Sequence, residues 1–164
     1  MKKFLLTTTL FIFAIALFGQ EQTTLILVRH AEKANDGTSN PPLSEAGFQR
    51  ANKLAALLTA QDITALYSTP FTRTEATLTP IGRDKGIEVQ QYDPYAKDEW
   101  LSSLIQKHKG ETVVISGHSN TIPTLANALI GSETFSQFDE NDYSNLIIIV
   151  TDEIGKGKLI RLKF

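Results

Sequence analysis

Residues Thr23–His30 read TTLILVRH, and the fold depends on how that stretch is taken. Leu25 to Val28 form an unbroken apolar run rich in β-branched and leucine side chains, the signature of a buried strand. The run stops at Arg29 and His30, a permanent cation next to an imidazole. A strand that ends abruptly in polar chemistry puts that chemistry at one edge of its sheet.

Downstream, the chain alternates. After the polar loop AEKANDGTSNPP, Ser44 is placed to cap a helix, with Glu45 favourable in its first turn. Positions 47, 51, 54 and 58 share a face, so Leu54 and Leu58, with Leu57 beside them, are expected to pack inward. ALYST (65–69) is a short strand. Pro70 then suits a first helical position after a Thr69 cap, opening a helix through FTRTEATLTPIGRDKG that Pro80 distorts and Gly82 or Gly86 ends. IEVQQYD (87–93) is a third strand. The amphipathic stretch AKDEWLSSLIQKHK follows, with Trp100, Leu101, Leu104 and Ile105 on its inner face and Gly110 closing it. ETVVISGH (111–118) is a fourth, wholly apolar strand, and Pro123 opens a last helix, PTLANALIG. The final segment, NLIIIVTDEIGKGKLIRLKF, is a hairpin around Gly155 and Gly157. Strand–helix alternation of this kind predicts a three-layer α/β/α sandwich with a mostly parallel central sheet. Ligands of such sheets bind beyond the carboxyl ends of the strands.

Composition narrows the class. The 164 residues are one domain's worth, 41% hydrophobic and 21% charged, with a net charge of −2. No basic face for nucleic acid is indicated. The absence of cysteine removes disulfides, thiolate metal sites, cysteine nucleophiles and lipoprotein anchoring. The first twenty residues, MKKFLLTTTLFIFAIALFGQ, have two lysines, an apolar core from Phe4 to Phe18 and a small-polar end, which is the layout of a secretory signal peptide. The core is shorter than the about 20 residues a membrane span needs. Residues 1–20 are therefore expected to be removed near Gly19 or Gln20. Residues 21–164 would form the exported domain, periplasmic or secreted, with no membrane association beyond the signal peptide.

Three strands end in polar groups: Arg29-His30, Ser68-Thr69 leading to Arg73, and His118-Ser119. In a parallel sheet they converge. Two arginines and two histidines make a site for a doubly charged oxyanion, because the guanidinium fork matches phosphate oxygens and stays charged. Arg73 would lie in the first turn of its helix, whose free N–H groups also favour an anion. With no cysteine and no evident activated serine, an imidazole is the natural nucleophile. The arginines would repel a cation, so no metal is expected at the two histidines. His108, near a helix end, is read as structural and exposed. Ser119 and Asn120 are read as starting the next helix rather than as substrate donors.

The pieces LVRHAEK, PPLSEAGFQRA, YSTPFTRTEAT and VVISGHSNTIP together resemble the histidine phosphatase superfamily, the phosphoglycerate mutase-like proteins, in order and separation across the chain from residue 21 onward. Ala31 stands where that family's Arg-His-Gly signature has glycine. The resemblance implies a phosphoglycerate mutase-like fold and a phosphoric monoester hydrolase needing no cofactor. His30 would accept the phosphoryl group, while Arg29, Arg73 and His118 would hold its oxygens. For the proton donor to the leaving group, Asp93 at the end of the third strand is favoured over Glu88, Asp98 and Glu99. The short linker DPYAKDE leaves the site open. An open site suits a phosphorylated small molecule, glycan or protein, and the family's small members include phosphohistidine phosphatases and a periplasmic lipopolysaccharide core heptose phosphatase. The rival readings are a non-catalytic phosphate-binding module of the same fold and a mutase-like phosphotransferase.

Overall fold

The computed structural model describes residues 21–95 and 98–164, so the expected signal peptide lies outside the described residues. Ten elements follow in order: β1 (Thr23–Arg29), α1 (Glu45–Leu57), β2 (Ile63–Ser68), α2 (Thr72–Lys85), β3 (Val89–Gln91), α3 (Asp98–Lys107), β4 (Thr112–Gly117), α4 (Thr121–Ile130), β5 (Asn145–Thr151) and β6 (Lys158–Lys163). The strands form one sheet in the order β3-β2-β4-β1-β5-β6. The first four in that order run parallel, β5 runs antiparallel to β1, and β6 antiparallel to β5.

The pleat sorts the core into two layers. Leu25, Leu27, Tyr67, Val113 and Ile115 face α3 and α4, where they meet Leu101, Leu104, Ile122 and Leu125. Ile26, Val28, Leu66 and Val114 face α1 and α2 and meet Leu54, Leu58, Leu78 and Ile81. A sheet covered on both faces is the expected three-layer sandwich, and it explains why β1 and β4 carry no polar alternation. Fully burying a leucine in these layers is worth about 2 kcal/mol, so the central strands form a stiff base for whatever sits at their ends.

Five local expectations are corrected. Leu57 is 51% exposed, because the buried arc of α1 runs through Ala51, Leu54, Ala55 and Leu58 and leaves Leu57 on the opposite flank. α2 begins at Thr72, not Pro70: Thr69 and Pro70 stay in a turn closed by Phe71 N–H on the Thr69 carbonyl at 2.7 Å. β3 is only three residues long, at the sheet edge. Pro123 lies in the first turn of α4 but does not open it. His108 is buried, only 6% exposed, with Nδ1 2.6 Å from Glu111 Oε2 and Nε2 3.0 Å from the Tyr67 hydroxyl. It ties the end of α3 to β2. Ser44 does cap α1, its hydroxyl accepting from Gly47 N–H at 3.2 Å.

Candidate active site

The carboxyl ends of β2, β4 and β1 lie side by side, and main-chain bonds continue one residue past them. His30 N–H donates to the Gly117 carbonyl at 2.9 Å and Thr69 N–H to that of Ser116 at 3.4 Å. This lattice brings His30, Thr69 and His118 to one edge, with Arg73 supplied by the second residue of α2. Gly117 leaves no room for a side chain: an added Cβ would lie 2.7 Å from Thr121 Oγ1 and 2.9 Å from Ile122 Cδ1. The start of α4 can therefore press directly on the turn that carries His118.

His30 is 4% exposed. Its Nδ1 lies 2.8 Å from the Ala31 carbonyl, which can only accept, so Nδ1 carries the proton and Nε2 keeps its lone pair. Ala31 N–H is itself held by Thr77 Oγ1 at 2.9 Å, which fixes the turn. Burial drives the His30 pKa down to about 3, with the Arg73 and Arg29 guanidiniums adding to the effect. Burial, then Arg73 and Arg29, likewise push His118 down to about 4. Both imidazoles are neutral at neutral pH. Their ring centroids are 5.5 Å apart.

The two arginines are held differently. Arg29 is 2% exposed, its Nη1 donating to the carbonyls of Asp139 (2.8 Å) and Asp142 (3.3 Å) and its Nη2 to Glu140 Oε2 (2.8 Å). The Tyr143 ring covers its guanidinium at 4.2 Å. Arg73 lies over the Phe71 ring at 4.7 Å and brings Nη2 to 3.5 Å from His118 Nδ1. Burial, and Arg29 after it, lower the Arg73 pKa. Among the described residues nothing accepts from Arg29 Nε or from Arg73 Nε and Nη1, although all three atoms are buried. Buried guanidinium donors without acceptors cost stability unless an anion receives them. Both guanidiniums lie close enough to His30 and His118 to lower their pKa values, so the positive charge they offer an oxyanion falls beside the two imidazoles, and Arg73 and His118 also line the cavity described next.

Asp93 lines a cavity of about 580 Å³ together with Phe71, Arg73, Pro94, Tyr95 and His118. Its carboxylate is exposed and accepts from Tyr95 N–H at 2.9 Å, so it forms the turn after β3 at the rim. No hydrogen bond joins it to His30, Arg73 or His118 among the described residues. A larger cavity, about 940 Å³, lies along α4 and touches this one only at Asn120; it contains none of the four convergent residues. Among the described residues no three His, Cys, Asp or Glu side chains are grouped to hold a metal ion.

Glu140 and Tyr143 were not anticipated from the sequence. They sit in the loop before β5, and because β5 runs against β1 its amino end arrives at the same edge as the other strands' carboxyl ends. Apolar periodicity reveals a strand but not its direction, so DENDY (139–143) gave no signal beyond its density of polar groups. Ser119, read as a helix start, instead donates to Glu140 Oε1 at 2.6 Å. That bond, with Arg29, holds the Glu140 carboxyl below its usual range.

Comparison with known proteins bears on the fold. The model of the histidine phosphatase superfamily (branch 1) matches residues 25–94. Phosphoserine phosphatase 1 of Hydrogenobacter thermophilus is 39% identical over 92 residues, a match covering 51% of this chain and 44% of that protein, so the chain spans less than half the length of this relative. Among solved structures, the protein histidine phosphatase SixA complexed with tungstate superposes with a TM-score of 0.71 at 23% identity, covering 85% of this chain and 96% of that one. A SixA-type protein from Agrobacterium tumefaciens gives 0.64 at 27% identity, covering 87% and 98%. The family match over residues 25–94 and the shared fold over most of the described chain make this protein similar to the histidine phosphatase superfamily.

Proposed function

We propose that the protein hydrolyses phosphomonoesters through a phosphohistidine on His30. The observation that carries this reading is the gathering of Arg29, Arg73 and His118 around a neutral His30 imidazole whose Nε2 is unprotonated. In the first step the Nε2 lone pair forms a bond to phosphorus and the ester P–O bond breaks. Arg29, Arg73 and His118 hold the equatorial oxygens, where fixed charge stabilises the transferring group most. The leaving oxygen takes a proton, which Asp93 supplies from the rim in its protonated, carboxylic-acid form. In the second step water attacks phosphorus, its proton passes to Asp93, inorganic phosphate leaves and His30 regains its lone pair.

The open cavity, walled by Phe71, Pro94 and Tyr95, suits a phosphate carried on a bulky or exposed group: a small molecule with an apolar ring, a glycan or a phosphoprotein. The relatives named for phosphoserine and protein histidine phosphatase activity are consistent with such substrates. The N-terminal twenty residues support export, to be checked by fractionating cells that express the full chain.

Hydrolysis of para-nitrophenyl phosphate tests the reaction. Activity abolished in His30→Ala is the expected result, and full activity in that variant would refute it. Asp93→Asn should spare esters of good leaving groups and slow alkyl esters by about 10²-fold, the range of general-acid contributions. Equal rates on both ester classes would remove Asp93 from the mechanism.

A further inference from the structure

We propose that Thr69 is a positioning residue that fixes which nitrogen of His118 carries the proton, so that anion binding at this site draws one proton from solvent. The proposal rests on the reading of Arg29, Arg73 and His118 as the anion site.

Proton bookkeeping along a chain of hydroxyls carries it. Thr74 Oγ1 lies 2.8 Å from the Thr69 carbonyl and 2.8 Å from the Phe71 carbonyl. Carbonyls only accept, so the single Thr74 hydroxyl proton is committed to them. The 3.0 Å contact between Thr69 Oγ1 and Thr74 Oγ1 must then use the Thr69 proton. That leaves Thr69 Oγ1 only its acceptor capacity for the 2.9 Å contact with His118 Nε2, so Nε2 carries the proton. The neutral ring therefore presents a lone pair at Nδ1, the atom 3.5 Å from Arg73 Nη2. Both threonines are fully buried, which shields the relay from water.

The groups facing His118 favour this neutral form. Arg73 comes from α2, Arg29 and His30 from β1, and Glu140 from the loop before β5; Tyr92 and Asp93 share the cavity from the β3 end. The Glu140 carboxylate is already bound by Arg29 and Ser119. A dianion that enters beside Arg73 puts an oxygen against a bare Nδ1. The contact becomes favourable when Nδ1 takes a proton from solvent, giving a ring with Nε2–H on Thr69 and Nδ1–H on the anion. Without the Thr69 acceptor, the proton moves to Nδ1 in the neutral tautomer, and the anion then meets a donor with no uptake.

Sulfate is the probe, because it stays dianionic across the range and any proton taken up lands on the protein. Titration calorimetry of the full chain, in buffers of different ionisation enthalpy, should give about one proton per sulfate for wild type and Thr69→Ser. Sulfate affinity should fall about tenfold per pH unit from about pH 5 to neutrality, above the free His118 pKa of about 4. Thr69→Val should give near-zero uptake and a flat pH dependence, while His30→Asn keeps the uptake. If the valine variant does not fold, Thr69→Ala and His118→Gln are expected to lose uptake in the same way. No uptake in wild type, unchanged uptake in the Thr69 variants that lack a hydroxyl, or uptake lost in His30→Asn would overturn the proposal. If para-nitrophenyl phosphate is still hydrolysed in that case, the phosphatase reading stands and only the role of Thr69 falls. Failure of sulfate to bind overturns the proposal and the anion site together.

Discussion

Replacing His30 with Gln removes a buried imidazole whose pKa is about 3 in the folded chain, against 6.5 when exposed. The unfolded chain takes up this proton as the pH falls through 6.5, whereas the folded chain resists it until about 3. Across that window the unfolded state binds more protons, so stability rises with pH and is lost as acid is added. Each pH unit costs about 1.4 kcal/mol, which makes the His30 penalty about 2 kcal/mol at about pH 5. Glu32 and Asp142, whose pKa values are depressed by Arg50 and by Lys163 respectively, lose their contributions only at lower pH. His118, lowered to about 4, adds a penalty of similar size at about pH 5, which wild type and the variant share. Urea unfolding of wild type and His30→Gln at about pH 8 and pH 5 measures the difference. The stability lost between the two pH values should be about 2 kcal/mol smaller in the variant. Equal losses in both proteins would refute the argument that burial and the arginines keep His30 neutral.

Other consequences follow from the same geometry. Glu140→Gln removes a carboxylate that occupies Arg29 Nη2 while keeping an acceptor for Ser119; phosphate inhibition should tighten about fivefold, the scale of an exposed charge interaction, and inhibition assays on para-nitrophenyl phosphate read it. Gly117→Ala forces a methyl against Thr121, Ile122 and the Tyr92 hydroxyl, so kcat/KM should fall well before thermal unfolding reports a large loss. Leu27→Ala, in the middle of β1, should cost about 3 kcal/mol in urea unfolding, whereas Leu57→Ala should stay within about 0.5 kcal/mol.

Much of the site is legible in the sequence because strand ends are local signals. An apolar run that stops at Arg29-His30, and another that stops at His118, places both pairs at one edge once the sheet is parallel there. The directions of β1, β2 and β4 follow from the intervening helices, so the convergence of Arg73 with them was also readable. The loop 139–143 was not, because β5 enters through a hairpin whose pairing partner on the β1 side is set by tertiary packing. Thr69 was read as a helix cap from its neighbour Pro70, but its hydroxyl is claimed by Thr74 and His118, and no local pattern records a partner 49 residues away. His108 looked like a helix-end cation; its burial depends on Tyr67 crossing from β2 to meet it. Asp93 was legible as a strand-end acid, and the fold does bring it to the cavity wall, at the rim of that wall.

The direct test of covalent catalysis is to quench turnover of a labelled phosphomonoester in base and map the label by peptide analysis. A phosphoryl group that survives base and is lost in acid, located on the peptide carrying His30 and absent from His30→Asn, is the result expected. Undiminished hydrolysis by His30→Asn, with no acid-labile label on the wild-type peptide, would contradict it.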